Sequence, residues 1–489
     1  MTRFRTGPPD SRSLHGADPR QLAVVAVAAV VASISLISVD ARLFVVASVV
    51  AALFVIALRD LSIGVLVIVA SVPVQTVASL DLGLATLTWT KMAVLATLAA
   101  WAVRIITGHS RPRLDGIGAA LGCYVLVLAL SIVEARNVAA WAEEVYRWSA
   151  AFAVYLIAAE TLRSPRDIRR LVLVTAAAVL ALSGYAAWQV LTGAGPETFS
   201  VGGVTRAYAT FGEPNPFAGY IEMTVPLLIA LLLGSLPARR RRVASAQLAA
   251  PALVAVLLAA ISGTATLIAT QSRGGYVGFL AGLGVVVWLT GGKVRWLGTF
   301  AAGICVLAVL ISPYGDRVTA RFRAESLTTS ETQVTTDNFA AQERSAHWRA
   351  AVNMARSSPI LGVGAGNFDE RYRESTVVWR FRIPRGHAHN AYLQALAQAG
   401  LLGLLSYLTL LLIVARSTVR ALGGAGDPFS RSVVVGVAAV TTAVALHNMV
   451  EYLHVLSLGL QLSVVWAALH IVGSRQSVTP YDAAQVAAA

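Results

Sequence analysis

Residues 387–403 read HAHNAYLQALAQAGLLG, a polar His-Ala-His-Asn that runs straight into an apolar stretch carrying glycines at 400 and 403. The apolar stretch continues to about residue 414, and a run of roughly 20 such residues is what a helix needs to cross a bilayer. Two histidines at the mouth of a membrane helix call for a chemical reason. Outward from this point the same kind of run recurs along the chain, at about 22–39, 43–58, 61–80, 89–106, 114–133, 145–160, 168–191, 216–236, 249–270, 276–290, 296–312, 432–450 and 455–472. Some are short against a straight crossing and fit a tilted or re-entrant helix, so twelve to fourteen spans are expected.

Composition agrees. The chain has 489 residues, 56% hydrophobic and only 13% charged, which excludes an ordinary water-soluble globule and leaves an all-α polytopic membrane protein. Its net charge of +14 comes almost wholly from arginine, Lys91 and Lys293 being the two lysines. In a soluble protein that excess would suggest nucleic acid, but here topology accounts for it and no nucleic-acid partner is expected. With the N-terminus inside, the inner segments hold 22 Lys and Arg against 6 outside once the long outer loop is set aside, as the positive-inside rule requires. Both cysteines, Cys123 and Cys305, sit in apolar runs, where packing explains them better than redox or metal work.

The chain therefore divides into a cytoplasmic N-terminal tail (1–21), N-terminal membrane helices (22–199), a second group of spans (200–312), a large extracytoplasmic loop (313–389), C-terminal spans (390–472) and a cytoplasmic tail (473–489). The first apolar run lacks the short core and small-residue cleavage site of a signal peptide and is expected to stay as a span. The long loop opens with the threonine-rich AESLTTSETQVTTD (324–337), read as a flexible flap, followed by a helix from about Asn338 to Arg356 capped by Asp337. On that helix Arg344, His347, Trp348, Ala351, Val352 and Ala355 share one face, which puts an arginine on the packed side in need of a partner. GVGAGNF (362–368) has the glycine spacing of a phosphate cradle without the strand-turn-helix unit around it, so a turn is the expectation.

Five pieces together, ERSAHW (343–348), PILGVGAGNF (359–368), HAHNAYLQALAQAGLLG (387–403), SRGGYVGFLAG (272–282) and FGEPNPFAGYIEM (211–223), resemble the O-antigen ligase and polymerase superfamily of bacterial membrane proteins. The resemblance covers about residues 200–470. It is most specific in the family's His-Asn, nine residues, Gly, two residues, small-residue pattern, met by His389, Asn390, Gly400 and Gly403.

The resemblance implies a glycosyl transfer that needs no metal and no cofactor, from a polyprenyl-pyrophosphate-linked glycan donor to a hydroxyl of a lipid or glycan acceptor. It places the reaction among membrane lipids, on the outer face of the bacterial cytoplasmic membrane. It implies His389 as catalytic base, and Arg273 and Arg344 as ligands of the donor pyrophosphate. Charge counting independently assigns all three to one face of the membrane. A planar guanidinium fork suits a pyrophosphate, and an imidazole titrating near neutral pH suits removal of a hydroxyl proton.

Asn390 is expected to cap the following helix. His387 reads as a helper or a bystander, and joint zinc binding with His389 finds no third ligand nearby in the sequence. His447, Glu451 and His454, at i, i+4 and i+7, read as one face at the outer end of a later span that lines the same cavity or is an ordinary polar helix end. In FGEPNP, Glu213 is either a second acid or base or part of a proline turn, with Asn215 as a supporting polar group. A ligase acting on lipid A-core, a repeat-unit polymerase and a small-solute or ion transporter are the three functional readings. The transporter reading needs broken or polar helices at the bilayer midplane.

Overall fold

The computed structural model describes residues 41–77, 79–81, 86–201, 203–240, 248–296, 298, 339–376 and 379–472. The first apolar run, all of the run at 296–312 but residues 296 and 298, the threonine-rich flap, Asp337, Cys305 and both tails lie outside the described residues. The described chain is helical apart from two short hairpins, Ser79–Asp81 with Thr86–Thr88 (β1, β2) and Ser200–Val201 with Val204–Thr205 (β3, β4). Its helices are α1 Ala41–Arg59, α2 Leu61–Ser71, α3 Trp89–Ile106, α4 Gly116–Leu130, α5 Val138–Thr161, α6 Pro165–Thr192, α7 Pro214–Arg240, α8 Ala250–Thr270 and α9 Arg273–Thr290. They continue with α10 Phe339–Ser357, α11 Phe368–Ser375, α12 Ala391–Gly424, α13 Pro428–His447 and α14 Leu458–Ala467.

Among the described residues eight helices are long and apolar enough to cross a membrane: α3, α4 with the turn that extends it to Glu134, α6, α7 to Ser235, α8, α9, α12 and α13. Three shorter apolar helices, Val46–Arg59, Leu61–Val74 and Leu458–Ile471, accompany them. Polar caps start the helices where an apolar run alone could not fix the first turn. Thr88, Asp115, Asn137, Ser272 and Asp427 each accept a backbone N–H of the helix that follows, and Ser164 with Asp167 forms a capping box. Helices α7, α9 and α13 pack most extensively on one another. Glycines make this contact close: a Cβ at Gly278 or Gly282 of α9 would come within 2.6 or 2.8 Å of a carbonyl of α13.

Gly400 and the GVGAGNF stretch are parts of one device. α12 is broken rather than packed at Gly400, where Ala399 (φ −134°, ψ 17°) and Gly400 (φ 64°, ψ −156°) leave helical geometry. A broken helix frees backbone groups that lipid cannot satisfy. Residues 359–364 supply them: the N–H groups of Val363 and Gly364 donate to the carbonyls of Ala397 (2.9 Å) and Gln398 (3.1 Å). In return Leu401 and Leu402 donate to Pro359 (2.8 Å) and Ile360 (3.3 Å).

The glycines of the turn are explained by the same contact. Gly362 and Gly364 have positive φ, and their Cβ atoms would lie 2.4 Å from the Ala397 carbonyl oxygen and 2.7 Å from the Ala135 backbone. Ala365 N–H donates to Ser131 Oγ at 2.9 Å, and the Asn367 amide exchanges hydrogen bonds with the Asn137 backbone. The stretch is therefore a turn, as expected, whose N–H groups are spent on a helix and not on a phosphate.

Gly400 occupies a region of φ and ψ that is essentially reserved for glycine, and an added Cβ would lie 2.3 Å from the Ile360 carbonyl. Gly400→Ala is expected to cost about 3 kcal/mol or more of stability. Gly423→Ala, which meets nothing within 4 Å, is expected to be neutral. Thermal melting of the two variants in one detergent checks this, and equal melting temperatures would contradict it.

Candidate active site

The break in α12 leaves its first two turns as a short helix whose start carries the polar tetrad. Asn390 caps it, its Oδ1 accepting from the N–H groups of Tyr392 and Leu393 at 3.0 Å each, and its Nδ2 donates to the Met449 carbonyl at 2.7 Å. Ala391 N–H donates to the Asn448 carbonyl at 2.8 Å, so the connection after α13 is stitched to the start of α12. His389 itself has φ 50°, a left-handed backbone that turns its side chain away from the helix. Its backbone is held on both sides: His389 N–H donates to His387 Nδ1 (3.1 Å), and Trp348 Nε1 of α10 donates to the His389 carbonyl (3.3 Å).

Glu451 is the centre of the site. Its side chain is 5% exposed, and His389 Nδ1 lies 2.9 Å from its Oε1. Tyr452 N–H donates to the same oxygen at 3.1 Å. Asn215 Nδ2 donates to Oε2 at 2.7 Å, and an Arg344 guanidinium nitrogen lies 3.7 Å from that oxygen. Burial pushes the Glu451 carboxyl up, but the His389 hydrogen bond and then the positive charge of His389 and Arg344 outweigh it and hold the group well below the usual carboxylate range. An ionised Glu451 can only accept, so Nδ1 of His389 carries the proton and a neutral His389 has its lone pair on Nε2. Burial drives His387 down to about 3, so it is a neutral acceptor for the His389 backbone.

The structure thus unites Arg344, His387, His389, Asn390, Asn215 and Glu451, drawn from four separate stretches of chain. Arg344 has found the partner its helix face required, and its Nε is buried without an acceptor among the described residues. Glu213 joins electrostatically: burial and then Glu451 raise its carboxyl above the usual range, against His389, Arg385 and Arg206. Arg273 is the first residue of α9, after the Ser272 cap, and its charge bears on Arg206.

Two expectations are corrected. His447, Glu451 and His454 do not share a helix face, because α13 ends at His447 and the later two lie in the connection beyond it. They take separate partners: His447 Nδ1 lies 3.1 Å from Oε1 of buried Glu222, Glu451 binds His389, and His454 Nε2 lies 2.9 Å from the Tyr407 hydroxyl. His387 is no bystander, since it orients the His389 backbone. Glu451 also supplies the third ligand type that the neighbouring sequence lacks, the ligand atoms of His387, His389 and Glu451 lying within 4.8 Å of one another. In this arrangement His389 Nδ1 faces the Glu451 carboxylate and His387 Nδ1 accepts from the His389 backbone N–H, with the Arg344 guanidinium beside them.

Residues 257–408 match the family model described as O-Antigen ligase. Over that segment the chain is similar to the O-antigen ligase and polymerase superfamily, as the sequence motifs imply. A search of curated proteins finds no match. The O-antigen ligase match spans Arg273, Arg344, His387, His389, Asn390, Gly400 and Gly403, whereas Asn215 and Glu451 lie outside it. This similarity, with the apolar helices, supports a membrane enzyme of the O-antigen ligase and polymerase type.

Because Glu451 is held below its ordinary value, its contribution to stability is present above about pH 4.5 and is lost as pH falls further. Glu451→Gln is expected to melt about 5 °C lower than the unmodified protein at pH 7, with the gap closing as pH falls below 4.5. Melting curves across that range check the sign, and a gap that widens towards acid would contradict it.

Proposed function

We propose that the protein is an O-antigen ligase-like glycosyltransferase that moves a glycan from a polyprenyl-pyrophosphate carrier to a hydroxyl of lipid A-core or a similar acceptor. The reaction runs on the outer face of the cytoplasmic membrane without metal or nucleotide. The observation that carries this reading is the 2.9 Å contact between His389 Nδ1 and the buried Glu451 carboxylate. A histidine oriented in this way is prepared as a general base at Nε2.

In the transfer, Nε2 takes the proton of the acceptor hydroxyl as its oxygen bonds to the anomeric carbon. The bond from that carbon to the pyrophosphate oxygen breaks, and polyprenyl pyrophosphate leaves with the electron pair. Arg344 and Arg273 hold the growing negative charge on the leaving group, a task that fixed guanidinium groups perform without reorganisation. Glu451 stabilises the imidazolium that forms and returns the proton site to its starting tautomer. The charge asymmetry of the loops supports the outer face as the location.

A broken helix is also a feature of transporters, but transport sites need freed carbonyls open to an ion, and those of Ala397 and Gln398 in α12 are occupied by Val363 and Gly364. A polymerase shares the donor and base chemistry and differs in taking a second repeat unit as acceptor.

Purified protein given lipid-linked glycan and acceptor is expected to release polyprenyl pyrophosphate with EDTA present and no nucleotide. His389→Ala should lower the rate about 10²- to 10⁴-fold while the donor still binds. Full activity of that variant would remove His389 from the base role. Faster transfer to a repeat unit than to lipid A-core would make the enzyme a polymerase.

A further inference from the structure

Glu144, on α5, is a second buried carboxylate close to the centre of the site. Its side chain is 4% exposed, and both of its oxygens have partners. Oε1 accepts from Trp148 Nε1 at 3.2 Å and from the Tyr452 hydroxyl at 2.7 Å, and Oε2 accepts from the guanidinium of Arg147. Tyr452 therefore spans two buried acids: its N–H donates to Glu451 at 3.1 Å and its O–H to Glu144. Glu144 and Tyr452 both lie outside the residues 257–408 that match the O-antigen ligase family.

The span matters because Glu451 has no helix to hold it. α13 ends at His447, and residues 452–455 have no regular secondary structure, so side chains must fix the direction of the Tyr452 N–H. Were the ring free to swing, the N–H would turn away from the carboxylate with it. Tying the far end of the ring to Glu144 stops that rotation. The ring is also packed on both sides, with the centroids of His387 and His454 each 5.6 Å away and Trp148 4.6 Å from His454. Loss of Glu144 would leave buried donors on Tyr452 and Trp148 without an acceptor, a cost that the connection can relieve only by moving.

We propose that Glu144 is a positioning residue for the transfer, acting through Tyr452 to hold the Glu451 carboxylate on His389. This rests on the base assigned under the proposed function. The contacts run from Glu144 to Tyr452, from Tyr452 to Glu451 and from Glu451 to His389, each within hydrogen-bond distance, and the first three residues are buried. The N-terminal half of the chain thereby has a part in the chemistry, with α5 acting through its partners and not on the substrate.

The test uses the full-length protein in detergent and the transfer of a lipid-linked glycan to its acceptor. Tyr452→Phe keeps the ring and its packing and loses only the hydroxyl. It should lower kcat about tenfold with the donor KM little changed, and it should have no further effect once Glu451 is replaced by glutamine. Glu144→Ala should lower kcat in the same way, and Glu144→Gln, which keeps an acceptor for the Tyr452 hydroxyl, should recover part of the loss. An unchanged kcat in Tyr452→Phe, with transfer slowed in His389→Ala, would overturn the positioning role and leave the base standing. Equal losses from Tyr452→Phe in the unmodified and Glu451→Gln proteins would make Tyr452 and Glu144 structural supports and overturn the inference. Full activity of His389→Ala would overturn the base and this inference with it.

Discussion

Glu451 accepts from His389 and the Tyr452 backbone on one oxygen and from Asn215 on the other, with Arg344 beside it, and the site depends on that shared carboxylate. A buried ionised group is costly unless several partners converge on it. Convergence here comes from the start of α7, from α10, from the start of α12 and from the connection after α13. The residue that sets the tautomer of His389 is thus also the residue that requires these four pieces of chain to meet.

Meeting requires that the tetrad at 387–390 be held at a fixed height above α12, and the break at Gly400 provides this. The helix ahead of the break is too short to be anchored by its own length. It is anchored by the backbone exchange with residues 359–364, by Asn448 and Met449 at its start, and by Gln394, whose Oε1 accepts from Ala388 N–H at 2.7 Å. α10 is brought alongside by the same turn, which is how Arg344 and Trp348 reach the histidine.

Much of this was readable in the sequence, for reasons that differ by residue. The spans were legible from their hydropathy, and α3 runs from Trp89 to Ile106 as its apolar run does. Arg344 was legible because helical spacing put it on a packed face, and His389 because it precedes a span together with a capping Asn390. Glu451 was legible only as a neighbour of His447. The helix end that separates them carries no Gly or Pro, so helical spacing joined residues that the fold pulls apart. The break at Gly400 had no signal, because its partner, the 359–364 turn, lies about 40 residues away in the chain, and pairing across such a distance leaves no local pattern.

The dependence of His389 on Glu451 can be measured by a double-mutant cycle on the transfer rate, using His389→Ala, Glu451→Gln and the pair. If the carboxylate acts by orienting the histidine, Glu451→Gln lowers the rate in the unmodified protein and has no further effect once His389 is alanine. Equal, additive losses in both backgrounds would contradict the dyad and leave Glu451 with a role independent of the base.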